Sequence, residues 1–240
     1  MSQKPQHELS TLDVSLKALF TGYLLVVGLG LCMAFAQILF THGMADGKFG
    51  LSVDDIVYSY YGNREGSRLE MKLQGSMKLM ADEATRAEII KWVRSGSPED
   101  TWNESIQTLV TANCVRCHGV IPGIPDYRTY EGIKTVTAID EGATVPTLAR
   151  VSHIHLFGIA FIFFFIGFIF TKTSGIPGWL KVTAISFPYG FLATDVFSWW
   201  ATKWIPEFAY LTIISGTGYS IASAFMIFTS LYQMWIPRKK

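Results

Sequence analysis

Asn113-Cys114-Val115-Arg116-Cys117-His118-Gly119 is the stretch on which the reading of this chain turns. Two thiols two residues apart, followed at once by an imidazole, meet the requirement for covalent haem attachment: each cysteine adds to one vinyl group and the histidine takes an axial position on the iron. His118 is then the proximal ligand. A zinc site or a redox dithiol also uses two cysteines at this spacing. A structural zinc needs two further ligands, and the remaining cysteine, Cys32, lies in an apolar run; a dithiol has no use for the following histidine.

Outward from the motif the composition changes twice. Of the 240 residues half are hydrophobic, and the net formal charge is +1, a balance too apolar for an ordinary soluble domain of this size. No basic tract or phosphate-binding glycine loop points to nucleic acid. With two of three cysteines assigned, no disulfide is expected.

Residues 1–17 are polar and read as a cytoplasmic tail. A first transmembrane helix is expected over 18–42, where an uncharged run from Ala18 to Phe40 is long enough to cross about 30 Å of hydrocarbon. Ala34-Phe35-Ala36 resembles a signal-peptidase site, but the apolar run continues past it, so an uncleaved anchor is the preferred reading. Residues 43–151 carry most of the charges and suit one small domain. Within them Ser52 and Asp55 form a capping-box pattern, a short helix is expected through Leu69 and Leu73, and Asp82 caps a helix that stops at Gly96. A further helix begins near Thr101 and delivers the chain to Cys114. Three more spans are expected at 152–172, 179–202 and 208–236, the second of them broken or kinked near Pro188. Trp179, Trp199, Trp200, Trp204 and Trp235 fall at the span ends, as an interfacial belt would.

Lys4, Lys17, Lys172, Lys181, Arg238, Lys239 and Lys240 collect on one side of this topology, whereas the short loop on the other carries Lys203 alone. The positive-inside rule makes both termini cytoplasmic and puts the middle domain outside.

The Cys114-Val115-Arg116-Cys117-His118-Gly119 run resembles the haem-binding motif of c-type cytochromes, with a looser likeness over about Leu51 to Ile139. The resemblance implies one covalent haem c held by Cys114 and Cys117 with His118 on the iron, in an electron carrier on the outer, periplasmic face of a bacterial inner membrane. In small c-type cytochromes a helix precedes the motif, and a loop with an axial methionine and a final helix follow it. Here Met77, Met80 and the helix through Trp92 come first, which would make the domain a permuted cytochrome. The expected fold is therefore all-α: a four-helix transmembrane bundle with a small helical cytochrome c domain inserted between the first and second spans.

The distal ligand is expected from Met77 or Met80, with His42, His153 and His155 as the alternative. Those three histidines fall at the outer boundary of the spans and offer two further readings, a non-covalent haem b or a quinol site with Asp195 taking a proton. Interfacial histidines facing water and headgroups are the bland reading, and Asp195 is close enough to the boundary to be solvated or to pair with Lys203. The function expected is electron transfer as a non-catalytic subunit of a respiratory or photosynthetic complex, in contact with lipid, other subunits and redox partner proteins. The rival is a quinol-oxidising cytochrome; a ligand-sensing haem protein and a structural anchoring subunit are the remaining classes.

Overall fold

The computed structural model describes residues 8–236 apart from Met44 and Gly47. Lys4, His7, Arg238, Lys239 and Lys240 lie outside the described residues. Every described element is helical: α1 Val14–Thr41, α2 Val53–Tyr60, α3 Arg68–Gln74, α4 Glu83–Arg94, α5 Glu99–Thr101, a π-helical stretch Trp102–Ile106, α6 Gln107–Asn113, α7 Val115–His118, α8 Tyr130–Lys134, α9 Val145–Thr171, α10 Gly178–Thr202 and α11 Ala209–Trp235. The chain divides into a span unit, Met1–Ile38 with Val145–Lys240, and a middle unit, Leu39–Thr144.

In the span unit α1, α9 and the stretch Pro206–Trp235 are long and apolar enough to cross a membrane. The 25-residue α10 has the length, but Lys181, Asp195 and several hydroxyl side chains keep it out of that set. Contacts at one end fix how the helices alternate. Leu9 N–H donates to Lys172 O at 3.1 Å, Trp235 Nε1 donates to Thr21 Oγ1 at 2.9 Å, and Lys17 Nζ lies 5.7 Å over the Trp235 ring. Gln233 clamps the loop after α9, accepting from Ser174 N at 2.7 Å and donating to Ser174 O at 3.1 Å. The start of α1 and the ends of α9 and α11 therefore share one end, and at the other Trp200 Nε1 donates to Ser152 Oγ at 2.9 Å.

Four expectations change here. The tail over 1–17 is not all tail: Leu9 is buried among Leu24, Ile166, Phe170 and Met226, and α1 starts at Val14 because Asp13 Oδ1 accepts from Leu16 N at 2.9 Å. The second span begins at Val145 rather than 152, since Pro146 suits a first helical turn and Thr144 closes the middle unit. Pro188 neither ends nor interrupts α10, where it forfeits one hydrogen bond at a buried position. Trp179, Trp204 and Trp235 are exposed as a belt requires, but Trp199 is buried at 5% exposure.

In the middle unit the caps are those the sequence signals. Asp55 N donates to Ser52 Oγ at 3.1 Å while Ser52 N donates to Asp55 Oδ2 at 2.8 Å, and Asp82 Oδ1 accepts from Thr85 N at 2.9 Å. The core joins Leu69 and Leu73 of α3, Ile89 and Trp92 of α4, Trp102, Ile106 and Val110 on the way to the motif, and Ile133 of α8. α4 ends where Gly96 and Ser97 take positive φ of 94° and 56°, turning the chain so that Trp92 and Trp102 lie 5.7 Å apart. Three donors hold this reversal: Trp92 Nε1 to Pro98 O at 3.0 Å, Tyr130 OH to Ser97 O at 2.9 Å and Lys134 Nζ to Gly96 O at 3.0 Å.

The first and last legs of the middle unit are laced together. Arg64 N donates to Asp140 O at 3.0 Å, Asp140 N to Gly66 O at 2.9 Å and Ala143 N to Ser59 O at 3.0 Å, around a single antiparallel bridge between Ser67 and Ile139. Arg68 adds a 3.5 Å ion pair to the buried Asp140 and a 3.2 Å bond to Gly142 O.

Candidate functional site

The helix through α5, the π-helical stretch and α6 ends at Asn113, and Cys114 joins it to α7: Cys114 N donates to Val110 O at 2.8 Å and His118 N to Cys114 O at 2.9 Å. Trp102 and Ile106 anchor that helix in the core, so α7 emerges at a fixed place on the surface. Cys114 faces inward, half-buried against the core, and burial pushes its thiol pKa up; Cys117 is exposed. Both thiols are free, on one turn of helix, with the imidazole next to the second.

His118 is oriented by its surroundings. Its Nδ1 lies 3.0 Å from Pro125 O. A carbonyl oxygen only accepts, so Nδ1 carries the hydrogen and Nε2 presents its lone pair outward. The ring lies flat on buried Tyr127, with centroids 4.1 Å apart and planes 3° from parallel, and Tyr127 N donates to His118 O at 2.7 Å. Burial pushes the Tyr127 phenol up to about 12, so the stacked ring is neutral at physiological pH. Outside this pair the loop Gly119 to Arg128 encloses a groove of about 230 Å³ beside His118. Val120, Ile121 and Ile124 of that loop are exposed apolar side chains. The rim is charged: Arg128 pairs with Asp126 at 2.6 Å and holds its carboxyl pKa down to about 2. Tautomer, free thiols and uncovered apolar surface together suit a flat, largely apolar metal macrocycle.

Met77 and Met80 lie in the turn between α3 and α4, around the 3-10 segment Lys78–Met80. Neither is packed in the core; they are 37% and 58% exposed, beside Leu79 at 89%. The turn is braced at its base, where Arg86 Nη1 donates to Leu73 O at 3.3 Å and Arg94 pairs with the buried Glu70. His42 belongs to the middle unit. Its Nδ1 is 2.7 Å from Ser59 Oγ, and Ser59 spends its own hydrogen on Asp55 O at 2.7 Å, so Nδ1 donates and Nε2 is left as the acceptor.

His153, His155 and Asp195 belong to the span unit. His153 is exposed against Phe157, whereas His155 is half-buried with its ring edge-on to Trp199 at 5.1 Å. Asp195 is neither solvated nor at an open boundary: it is 3% exposed, accepts from Trp199 Nε1 at 3.1 Å and is hydrogen-bonded by Tyr219. The reason is local. Asp195 and Trp199 are one helical turn apart on the face of α10 that packs on α11, which buries the acid behind the indole. Tyr219 carried no signal in the sequence, being one aromatic residue among many. Among the described residues no three His, Cys, Asp or Glu side chains converge as a multi-ligand metal site would require.

Comparison with known proteins adds one finding. The family model Aq_1264_TM, described as a transmembrane helical domain, matches residues 127–240. No curated protein and no solved structure matches the chain. The chain is thus a membrane protein, helical in all its described elements, and its residues 127–240 match a transmembrane helical domain.

Proposed function

We propose that the middle unit is a c-type cytochrome module of permuted helix order, borne by four transmembrane helices, and that it carries electrons at the outer face of a bacterial inner membrane. The observation that supports this most is the setting of His118: its Nδ1 hydrogen is committed to Pro125 O, so Nε2 is the free donor atom, directly after two free thiols on the same turn. Cys114 and Cys117 would hold the porphyrin through thioether links and His118 Nε2 would bind the iron. When bound there, the haem supplies one reversibly stored electron. The protein's part is to orient. Tyr127 and Pro125 fix the imidazole, and the exposed Val120, Ile121 and Ile124 would cover one side of the bound group.

The helix order supports the same reading. The methionine turn and α4 precede the motif-bearing helix, and the tight reversal at Gly96-Ser97 brings those two helices together through Trp92 and Trp102. Met77 or Met80 is the proposed distal ligand, with His42 as the alternative from the same unit. Both termini are cytoplasmic and the module is periplasmic in this proposal, which makes the chain an electron-transfer subunit working with other subunits and redox partner proteins of a respiratory or photosynthetic complex.

Expression in a host competent for cytochrome maturation tests the proposal. The pyridine haemochrome spectrum is expected to show one c-type haem per chain, absent from the Cys114→Ser, Cys117→Ser double variant. An unmodified polypeptide by mass spectrometry would overturn it. Met77→Leu and Met80→Leu are expected to differ, only the ligand variant opening the reduced iron to carbon monoxide.

A further inference from the structure

The polar groups of the span unit are concentrated around one buried acid. Asp195 of α10 accepts from Trp199 Nε1 at 3.1 Å and from the Tyr219 hydroxyl of α11, and the other side of the Trp199 indole meets His155 of α9 at 5.1 Å. Nearby, Ser198 Oγ and Thr212 Oγ1 pair at 2.7 Å. Three helices thus each contribute one group that can exchange a proton, His155 and Asp195 in contact with the Trp199 indole and Tyr219 joined to Asp195. A carboxyl with no structural duty is costly at this depth, and an apolar residue would fill the same volume.

Two of the groups reach outward from the acid. Tyr219 is half-buried, with its phenol oxygen lying back along α11 near Gly216. His155 is also half-buried. Its Nδ1 is 2.9 Å from Val151 O, which fixes the hydrogen there and leaves Nε2 as a hydrogen-bond acceptor. The packing behind them is aromatic: buried Trp199, and buried Phe163 at 5.7 Å from the Tyr219 ring and 5.8 Å from the Tyr189 ring. Two half-buried acceptors on neighbouring helices, His155 Nε2 and the Tyr219 oxygen, the second backed by a carboxyl, match a ring that carries a donating hydroxyl at each end.

We propose that Tyr219 and His155, backed by Asp195 and Trp199, form a binding site for the head group of a membrane quinol. One quinol hydroxyl donates to His155 Nε2 and the other to the Tyr219 oxygen, whose own hydrogen bond to Asp195 gives it a place to pass a proton. His153 is not part of the site, because it faces away on its own helix. The site does not depend on haem being bound to the middle unit.

The full chain in lipid nanodiscs, titrated anaerobically with a short-tailed benzoquinol, tests this through quenching of tryptophan fluorescence, for which Trp199 is the reporter. Saturable quenching is expected, weakened about tenfold by Tyr219→Phe, the loss of one hydrogen bond, and at least as much by Asp195→Asn. Phe228→Leu, on an exposed face of α11, is expected to change nothing. Saturable binding that persists in the Cys114→Ser, Cys117→Ser variant keeps this site separate from the cytochrome reading. Unsaturable quenching equal in wild type and Tyr219→Phe, the mark of simple partitioning into lipid, would overturn the proposal. If Asp195→Asn fails to fold, the Tyr219→Phe comparison decides alone.

Discussion

Replacing Trp102 by alanine attacks the joint that sets the direction of the motif-bearing helix. Trp102 is 1% exposed and bridges two other rings, Trp92 at 5.7 Å and Tyr130 at 6.4 Å, so one side chain ties α4 and α8 to the helix that ends at Cys114. Truncation of a buried tryptophan costs about 3–5 kcal/mol, the transfer of the ring plus the cavity it leaves. A domain of roughly this size holds about 5–15 kcal/mol in all. The loss is thus a large fraction of the total, and at about 4–8 °C per kcal/mol it lowers the melting temperature of the middle unit by well over 10 °C. Near-ultraviolet circular dichroism of the full chain in detergent, dominated by packed tryptophans, follows the transition. Trp102→Phe retains a ring and is expected to lose less than half as much, and Trp204→Ala, exposed, almost nothing. A Trp102→Ala melt within 2 °C of wild type would refute the account of the core given above.

Gly132→Ala is expected to be nearly as damaging, because a Cβ there would run into the Asp126 carbonyl and push the segment that carries Tyr127 off His118; the measurement is the melt together with haem content after maturation. Arg128→Ala is expected to return the Asp126 pKa from about 2 toward the ordinary 3.8, read by NMR titration of the side-chain carboxyl. Since the native value is the lower one, the ion pair contributes stability above about pH 3.8 and loses it as pH falls through 2, and acid titration of the variant should lack that slope. Gln233→Leu removes both bonds to Ser174 and leaves that backbone unpaired, so faster proteolysis in the loop after α9 is expected, with the rest of the bundle unchanged.

The parts of this fold that were legible in the sequence are those specified by neighbours along the chain. Ser52 with Asp55, Asp82 ahead of α4 and Gly96 after it are local signals, and each cap formed where its residue types require. Three of the four expected spans are legible for the same reason, since length and apolarity are properties of one segment. What was not legible depends on tertiary neighbours. Leu9 looked like part of a polar tail because its partners, Leu24 and Phe170, are far away in sequence. Asp195 looked interfacial by its distance from the end of its span, yet the face it occupies is the one closed by α11. The π-helical stretch at Trp102–Ile106 carries no composition cue and follows from fitting Trp102 between two rings. At the site, the Cys114, Cys117 and His118 pattern was plain, but the roles of Pro125 and Tyr127 required the loop to be folded.

The lacing of Ser59 to Arg68 against Ile139 to Ala143 also sets how the middle unit bears load. The chain enters and leaves that unit through long helices at both ends, so tension drawn through them arrives first at this short seam of backbone bonds and the Arg68–Asp140 pair. The seam works as a mechanical fuse: it parts before the tryptophan core is strained, and stretching a single molecule by its ends should show a small early yield ahead of the main rupture.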